Sequence, residues 1–448
     1  MASIKDKTTE LAIKSALSYV EKNPDRNILK IIDLLDKVDI NHNYKKQLQV
    51  VREQLADSDN NWSQLVKSLY SDIDDGVRTT LFENFIMNSA FTWAKKSKQI
   101  KEQYQCHVPW TILLDPTSAC NLHCTGCWAA EYGNRLNLSY DEIDDIISQG
   151  KELGIYMYIY TGGEPLVRKN DLMKICEKHN DCVFLAFTNA TLIDEEFADE
   201  LLRVKNFVPA ISIEGNELAT DARRGNGTYQ KVMKAMTILK EKKLPFGVSC
   251  CYTSQNIDSI SSEEFIDTLI NYGAKFAWFF HYMPVGNDAV LDLLCTPSQR
   301  EKMLRSIREY RQTKPIFTLD FQNDGEYVGG CIAGGRNYFH INPNGDMEPC
   351  VFIHYSDSNI REKTILEALC SPLFQAYKEG QPFNQNHLRP CPMLENPEKL
   401  KEMVHRTNAH STDLESVETV DHLCDKCKEY AHRWENPAKR LWKEYHGE

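Results

Sequence analysis

The sequence predicts an α/β protein, a partial (βα)6 barrel of the TIM type with an N-terminal all-helical domain and a small C-terminal cysteine-rich α+β subdomain. Three observations support this prediction. Residues 1–105 carry apolar residues at helical spacing, and residues 106–314 alternate short β-branched or aromatic runs with amphipathic segments. Residues 315–448 combine cysteines, turns and short strands. Because parallel strands require helical crossovers, the alternating middle region predicts a parallel sheet that curls toward a barrel.

The N-terminal region reads as one helix after another. Apolar residues recur at helical spacing, as at Leu11 and Ile13 and then, at intervals of four and three, at Leu17 and Val20, and Pro24 interrupts the pattern. This region contains no chemical motif. We therefore expect it to serve as a packing or partner-docking module.

The predicted barrel contains six strands and six following helices. Ser139 with Glu142 and Ser261 with Glu264 have the spacing of capping boxes, and Thr296 precedes a first-turn proline. Functional residues belong at the carboxyl ends of the strands, where the strand-to-helix loops gather. The predicted strands cover residues 111–117, 156–161, 182–188, 208–213, 246–253 and 276–283.

Composition excludes some classes of protein. The 448 residues are 42% apolar, enough for a large core, and the formal net charge of -12 argues against nucleic-acid binding through phosphate neutralisation. No apolar run approaches the length of a membrane span, and the first residues lack the apolar core of a secretion signal. These features predict a cytoplasmic protein with no transmembrane segment and no nucleic-acid partner.

Three cysteines follow the first predicted strand at close spacing. Cys120, Cys124 and Cys127 can hold three irons of a four-iron cluster and leave the fourth iron open to a chelating ligand. A zinc site is the alternative, with His123 as a possible fourth ligand, although its place between two ligands makes that geometry awkward. Unmetallated core thiols are a second alternative.

The motif Gly162-Gly163-Glu164-Pro165 follows the second predicted strand. Together with Cys-x3-Cys-x2-Cys after the first strand, it resembles the radical S-adenosylmethionine (SAM) superfamily, over about residues 110–286. The resemblance implies a 4Fe-4S cluster that binds SAM and cleaves it reductively to a 5′-deoxyadenosyl radical, which abstracts hydrogen from a substrate. It also implies an electron donor such as flavodoxin or ferredoxin. Backbone carbonyls and Glu164 would accept hydrogen bonds from the SAM ammonium group.

The resemblance assigns roles to further loop residues. The residues named at the end of this paragraph would contact the ribose and the carboxylate of SAM, and residues 281–286 would contact its adenine. The alternative is that each of these residues is a loop cap or a solvated residue. One departure is that Gly126 stands where many relatives have an aromatic residue, and Trp128 follows the third cysteine instead. The assigned residues are Asn189, Ser212, Glu214, Arg223 and Arg224.

The C-terminal region carries a second set of cysteines. Cys331-x13-Gly345-x4-Cys350 resembles the opening of SPASM and twitch domains, which hold auxiliary iron-sulfur clusters. The full two-cluster spacing is absent, so we expect one auxiliary 4Fe-4S cluster with Cys331, Cys350 and Cys391 as three ligands. Cys424 and Cys427 compete for the fourth position, and a zinc knuckle that uses this pair is the alternative.

No pattern indicates conventional acid-base or nucleophilic catalysis. His281 and Tyr282 end the sixth predicted strand, and His340 and His354 flank the auxiliary cysteines; we expect structural roles for these histidines. Three functions remain open at this point. The protein modifies a peptide or protein side chain, or acts on a lipid or small metabolite, or is a non-catalytic iron-sulfur or zinc scaffold. Only the scaffold would form no 5′-deoxyadenosine from SAM.

Overall fold

A computed structural model describes residues 15–16, 19–20, 22–23, 27–33 and 45–447 of the chain. Leu11, Ile13, Leu17 and Pro24, which entered the helical prediction, lie outside the described residues, whereas Val20 is buried. The named helices are α1 Lys45–Ala56, α2 Asn61–Ser71, α3 Asp75–Glu83, α4 Trp93–Tyr104, α5 Tyr140–Leu153, α6 Lys169–Lys178, α7 Glu195–Val204, α8 Glu217–Arg224, α9 Thr228–Glu241, α10 Ile257–Ile260, α11 Glu263–Tyr272, α12 Pro297–Thr313, α13 Gly325–Val328, α14 Ile365–Leu369, α15 Pro372–Gly380, α16 Pro397–Thr407 and α17 Val420–His446.

A π-helical segment, Asn84–Thr92, joins α3 to α4, and short 3-10 helices cover Trp128–Tyr132, Pro165–Arg168 and Leu291–Leu293. The strands are β1 Thr111–Leu114, β2 Met157–Tyr160, β3 Val183–Thr188, β4 Phe207–Ser212, β5 Gly247–Tyr252, β6 Phe276–His281, β7 Phe317–Asp320, β8 Tyr338–Ile341, β9 Met347–Glu348, β10 Tyr355–Ser356 and β11 His410–Ser411.

Nine strands form one sheet in the order β7-β6-β5-β4-β3-β2-β1-β8-β9. Strands β1 to β7 are parallel to their neighbours, so the predicted α/β class and parallel barrel sheet are confirmed. The sheet extends further than the six predicted strands. β7 adds beyond β6, and β8 pairs in parallel with β1 in the register Thr111 to Tyr338, with β9 antiparallel at the edge. Residues after 314 therefore contribute strands to the barrel sheet.

Three helix starts test the predicted caps. The Ser139–Glu142 capping box opens α5, and Thr296 caps α12 with proline in its first turn, as predicted. The predicted Ser261 cap is wrong by one residue, because Ser262 caps α11 and accepts from the amide of Phe265. Ser261 instead ends α10, where its hydroxyl donates to the carbonyl of Ile257.

The N-terminal helices cover the amino ends of the barrel strands. Asn84 in the π-helical segment donates to the carbonyls of Asn180 and Cys182, just before β3. Lys275, just before β6, pairs with Asp72 at the end of α2. The carboxyl ends of the strands lie on the opposite side. The predicted helical module thus packs away from the loops in which function is expected.

Alternation along the strands separates two apolar layers. One residue of each neighbouring pair packs outward against the helices, as Tyr158, Tyr160 and Cys250 do. The intervening residues face the barrel interior, where Met157 and Ile159 pack in the same cluster as the C-terminal helices. The C-terminal region therefore closes part of the barrel interior. Among the described residues, none of the helices has the length and apolarity needed to cross a membrane.

Candidate active site

The loop after β1 holds the three predicted cluster cysteines. All three residues are only partly buried, unlike the core thiols of this chain. Burial, followed by the nearby charge of Glu164 and the thiols of Cys124 and Cys127, raises the pKa of Cys120 to about 11, so the three thiols lie within electrostatic reach of one another. Such a set of soft, accessible donors in one loop fits the requirements of an iron-sulfur cluster.

Two arginines lie beside these thiols. Arg224 Nη1 is 3.9 Å from the sulfur of Cys124, and the carbonyl of Arg223 accepts from the amide of Thr125 at 3.0 Å. Burial raises the pKa of Cys127 above its ordinary value, and the positive charges of Arg223 and Arg224 partly oppose that rise. The end of α8 therefore supplies positive charge where a thiolate-bound cluster would be anionic.

The Gly162–Pro165 loop lies directly against the cysteine loop. A Cβ atom on Gly163 would lie 2.3 Å from the carbonyl oxygen of Ala119, and one on Gly162, whose φ is +96°, would lie 2.7 Å from Asp115. The amide of Glu164 donates to the carbonyl of Ala119 at 2.8 Å. The two glycines thus permit close approach of two backbones, which the sequence motif alone did not specify.

Glu164 is fully buried and joins the β2 loop to the β3 loop. Its carboxylate accepts from the hydroxyl of Thr188 at 2.6 Å and from the amides of Asn189 at 2.7 Å and Leu166 at 3.0 Å. Burial raises its pKa and these donors oppose that effect. The Asn189 side chain in turn donates to Asn121 Oδ1 in the cysteine loop. Both predicted residues are therefore engaged in holding the loops together.

Glu214 follows β4 and pairs with two cations. Its Oε1 accepts from Arg223 at 2.7 Å and from Arg224 at 2.7 Å, while its Oε2 is buried without a hydrogen-bond partner. Arg223 Nε is also buried and unpaired. Ser212 ends β4, two residues after the inward-facing Ala210 and so on the same face of the strand. These unsatisfied polar atoms beside the cysteine loop fit a polar ligand such as the SAM ribose or carboxylate.

The position of Tyr282 accounts for the glycine, Gly126, that precedes the third cysteine. A Cβ on Gly126 would lie 2.6 Å from the Tyr282 ring, so the tyrosine occupies the space that a larger residue would need. His281, by contrast, is fully buried and contacts helix α17. Its Nδ1 lies 2.6 Å from the carbonyl of Tyr282 and its Nε2 lies 3.0 Å from the hydroxyl of Tyr430. Burial lowers the pKa of His281 to about 3, which keeps this histidine neutral.

A buried polar network lies behind the cysteine loop. His340 bridges two carboxylates, with Nε2 2.9 Å from Asp115 and Nδ1 2.6 Å from Glu348. Burial alone would lower the pKa of His340, but Asp115 and Glu348 outweigh that effect and raise it to about 10. Tyr132 donates to Glu348 and stacks on His354 at 4.5 Å. The network anchors the 3-10 turn that follows the third cysteine.

Three auxiliary cysteines meet in one cavity. Cys331, Cys350 and Cys391 come from separate segments and line an apolar cavity of about 130 Å³. Burial raises the pKa of Cys331 to about 11 and that of Cys350 to about 12. The hydroxyl of Tyr338 lies 3.0 Å from the Cys350 sulfur. A lined cavity with three thiols fits an auxiliary cluster bound by these residues.

Cys424 and Cys427 lie on α17, outside the residues that line this cavity. The thiol of Cys424 donates to the carbonyl of Pro397 at 3.1 Å, and both residues are fully buried. Their competition for the fourth ligand position stays open. Within the described part of the chain, no three His, Cys, Asp or Glu side chains are grouped as the ligands of one metal ion. Cluster ligands bind different irons and need not converge on one point.

Sequence reasoning missed one interior thiol. Cys250 packs outward in the core, whereas Cys251 faces the barrel interior and lies within electrostatic reach of Arg223 and Cys127. Strict alternation along β5 could have separated the two cysteines, because neighbouring residues in a strand point to opposite faces.

Two family models match the chain. The model of the Radical SAM superfamily matches residues 114–260, and the SPASM model, an iron-sulfur cluster-binding domain, matches residues 331–393. The first range holds the cysteine loop and the Gly162–Pro165 loop. The second holds Cys331, Cys350 and Cys391.

Individual proteins are similar over more than half of this chain. The AdoMet-dependent heme synthase of Methanosarcina barkeri is 24% identical over 292 residues, covering 58% of this chain and 82% of the relative. The mycofactocin maturase MftC of Mycolicibacterium smegmatis is 28% identical over 271 residues, covering 57% of this chain and 68% of the relative. The crystal structure of Streptococcus suis SuiB bound to precursor peptide SuiA superposes with a TM-score of 0.56 at 20% identity, over 73% of this chain and 79% of that chain.

The chain is therefore a radical SAM enzyme, and it carries a C-terminal SPASM domain. Its cofactors are accordingly SAM and a 4Fe-4S cluster, and its C-terminal region is an iron-sulfur cluster-binding domain. When bound, the cluster and SAM would together supply one-electron reductive chemistry that ends in hydrogen abstraction from a substrate. Among the residues described above, Glu164 and Asn189 hold neighbouring loops together, and Arg224 places positive charge beside Cys124.

Proposed function

We propose that this enzyme modifies a side chain of a peptide or protein, with Cys120, Cys124 and Cys127 as the ligands of the SAM-binding cluster. One observation carries the proposal. Phe352, two residues after Cys350, contacts Trp128, which follows Cys127, with ring centroids 6.1 Å apart. The auxiliary site therefore adjoins the cysteine loop across the barrel interior, so that one substrate can meet both. The similarity to a maturase and to a peptide-bound structure supports a peptide substrate.

The remaining assignments belong to the same proposal. Gly162, Gly163, Glu164 and Pro165 would border the SAM methionine moiety, with the Asn189, Ser212, Glu214, Arg223 and Arg224 positions near its ribose and carboxylate. Cys331, Cys350 and Cys391 would bind one auxiliary cluster, together with Cys424 or Cys427. A flavodoxin or ferredoxin would supply the electron, and the enzyme would act in the cytoplasm. The division at residues 105 and 314 remains our proposed domain organisation.

The test is anaerobic reconstitution followed by measurement of 5′-deoxyadenosine. The wild-type chain with SAM and a strong reductant should form it, and the Cys124→Ala variant should not. Cys176→Ala is the matched control, because this thiol is fully buried in the outer layer and should be dispensable. Product formation by Cys124→Ala at the wild-type rate would refute the ligand assignment.

The substrate class needs a second measurement. A candidate peptide encoded beside the gene should change in mass when it is incubated with the reconstituted enzyme, SAM and reductant. The similarity to a heme synthase favours a second candidate, a small metabolite. If 5′-deoxyadenosine forms and candidate peptides stay unchanged while a small metabolite is converted, that second candidate replaces the first.

A further inference from the structure

Five aromatic side chains form a continuous wall inside the barrel. Phe187 contacts Trp278 at 5.5 Å and Phe280 at 5.6 Å between ring centroids, with the second pair perpendicular. Phe280 contacts Phe321 at 5.3 Å, and Phe321 contacts Phe352 at 6.2 Å. We call these five residues, Phe187, Trp278, Phe280, Phe321 and Phe352, the aromatic wall.

The aromatic wall connects the two predicted cluster sites. Phe352 contacts Trp128 beside the cysteine loop, and Trp278, Phe321 and Phe352 also line the cavity of the auxiliary cysteines. A substrate group placed between the two sites would therefore touch these rings.

The aromatic wall is not filled by the protein itself. Phe187, Trp278, Phe280 and Phe321 remain partly exposed although they belong to the interior face of the barrel. Trp278 and Phe321 border the cavity of the auxiliary cysteines, whereas Phe187 and Phe280 lie outside its lining and so leave apolar surface that the auxiliary cluster would not cover. Large apolar side chains that face an open interior are stabilised when an apolar group covers them. The exposed rings of the aromatic wall can therefore bind an apolar group.

Polar groups near the wall are already paired within the chain. Asp320 accepts from the hydroxyl of Tyr252 at 3.1 Å and from Asn323 at 2.8 Å. Gln322 accepts from the amide of His281 at 2.8 Å. The cavity lining also includes Asp324, which pairs with Arg311 at 2.6 Å. A charged substrate group entering here would lose its hydration without gaining a new partner.

We propose that the substrate group admitted next to the aromatic wall is an aromatic side chain of the peptide. This inference rests on the proposed function and specifies its substrate. Rings favour other rings in edge-to-face geometry, which the wall already uses between Phe187 and Phe280, so an aromatic side chain gains more here than an aliphatic one of similar size. A charged side chain gains least, because it would remain unpaired.

The test uses peptides acetyl-Gly-Gly-X-Gly-Gly-amide, in which X is tyrosine, leucine or lysine. An equimolar mixture is dialysed to equilibrium against the reconstituted full-length enzyme with SAM, and the bound fraction of each peptide is measured by mass spectrometry. We expect the tyrosine peptide to exceed the lysine peptide by about tenfold. We expect it to exceed the leucine peptide by about threefold.

Two variants locate the preference. Phe280→Leu keeps an apolar side chain but removes the central ring, and it should abolish the preference for tyrosine over leucine. Phe317→Leu is the matched control, because Phe317 is exposed at the amino end of β7, and it should keep the wild-type ranking. Iron content shows whether each variant has retained its clusters, and the wild-type ranking tests the proposal even where a variant has not.

Equal or stronger binding of the leucine or lysine peptide by the wild type overturns the inference, as does equal loss of preference in both variants. Failure here is distinct from failure of the proposed function. An enzyme that forms 5′-deoxyadenosine and modifies a peptide at a non-aromatic residue disproves only the aromatic preference. An enzyme that ranks the peptides as expected but modifies none disproves the proposed function.

Discussion

Replacement of Gly163 by alanine should slow SAM cleavage strongly while preserving the fold. The added Cβ would lie 2.3 Å from the carbonyl oxygen of Ala119 and 2.5 Å from that of Ser118. Both atoms belong to the backbone of the cysteine loop, so neither can turn aside. Gly163 does not have a left-handed φ, and the effect therefore comes from the contact alone.

The expected size of the effect follows from these distances. Ordinary contacts of a Cβ atom are 3.4–4 Å, so the two loops must separate. A separation of about 1 Å between the loop that would hold the cluster and the loop that would border SAM should cost about 100-fold in rate. The outer layer of the barrel does not include Gly163, and we expect the circular dichroism spectrum to stay unchanged.

The assay is the rate of 5′-deoxyadenosine formation per iron bound, under anaerobic conditions with SAM and a strong reductant. Gly76→Ala serves as the control, because its added Cβ would meet side-chain atoms alone, the flexible end of Lys205 at 3.0 Å and the Asp74 carboxylate at 3.3 Å, and the residue lies on α3 away from the site. A rate for Gly163→Ala within about threefold of the wild type would contradict the reasoning, because a 1 Å displacement should cost far more.

Three further predictions follow from buried groups. Arg300→Met leaves the fully buried Glu395 without its cation 2.6 Å away, so the midpoint of urea unfolding should fall by the equivalent of about 3–5 kcal/mol, and Arg300→Met/Glu395→Gln should recover part of that loss. Cys350→Ala should lower the iron content from about eight to about four per chain, and unchanged iron would contradict the auxiliary assignment. His340, whose pKa is raised to about 10, binds a proton in the folded state that the unfolded chain loses above its ordinary value of 6.5; its contribution to stability is complete below pH 6.5 and lost as pH rises through 10. The stability difference between the wild type and His340→Gln should shrink across that window, and a constant difference would refute the charged bridge to Asp115.

The parts of the fold that depend on local patterns could be predicted from the sequence. The strands β1 to β6 and the Ser139 cap depend on residues within a few positions of one another, and the structure confirms them. The Ser261 cap failed because two adjacent serines offer the same side chain, and only the end of α10 decides between them. Such competition between equal candidates leaves no signal in the pattern.

Long-range pairing is the part that could not be predicted. The composition of residues 315–448 predicts a separate subdomain with its own short strands, whereas Tyr338–Ile341 within that range pairs with β1. Nothing near β8 in the sequence identifies a partner strand so distant along the chain. The same holds for the bridge from Asp115 through His340 to Glu348, because β1, β8 and β9 must assemble before these side chains meet.

In the candidate site, the sequence motifs predicted where the two loops lie better than they predicted which contacts each side chain makes. The two loops do lie together, but the described contacts of Glu164 are to Thr188, Asn189 and Leu166 within the protein. Hydrogen bonds of this kind depend on the spatial arrangement of neighbouring loops. The sequence motif identifies the loop and leaves the partners of each atom to the fold.

The pairing of β8 with β1 has a consequence for synthesis on the ribosome. Between the release of Leu114 and that of Tyr338, translation at about 5–20 residues per second takes about 10–45 s. During that interval one edge of β1 is unpaired and available to other nascent strands. The cysteine loop directly follows β1, so we expect cluster insertion to succeed best after translation ends. We also expect slow or paused translation to increase aggregation of the newly made chain.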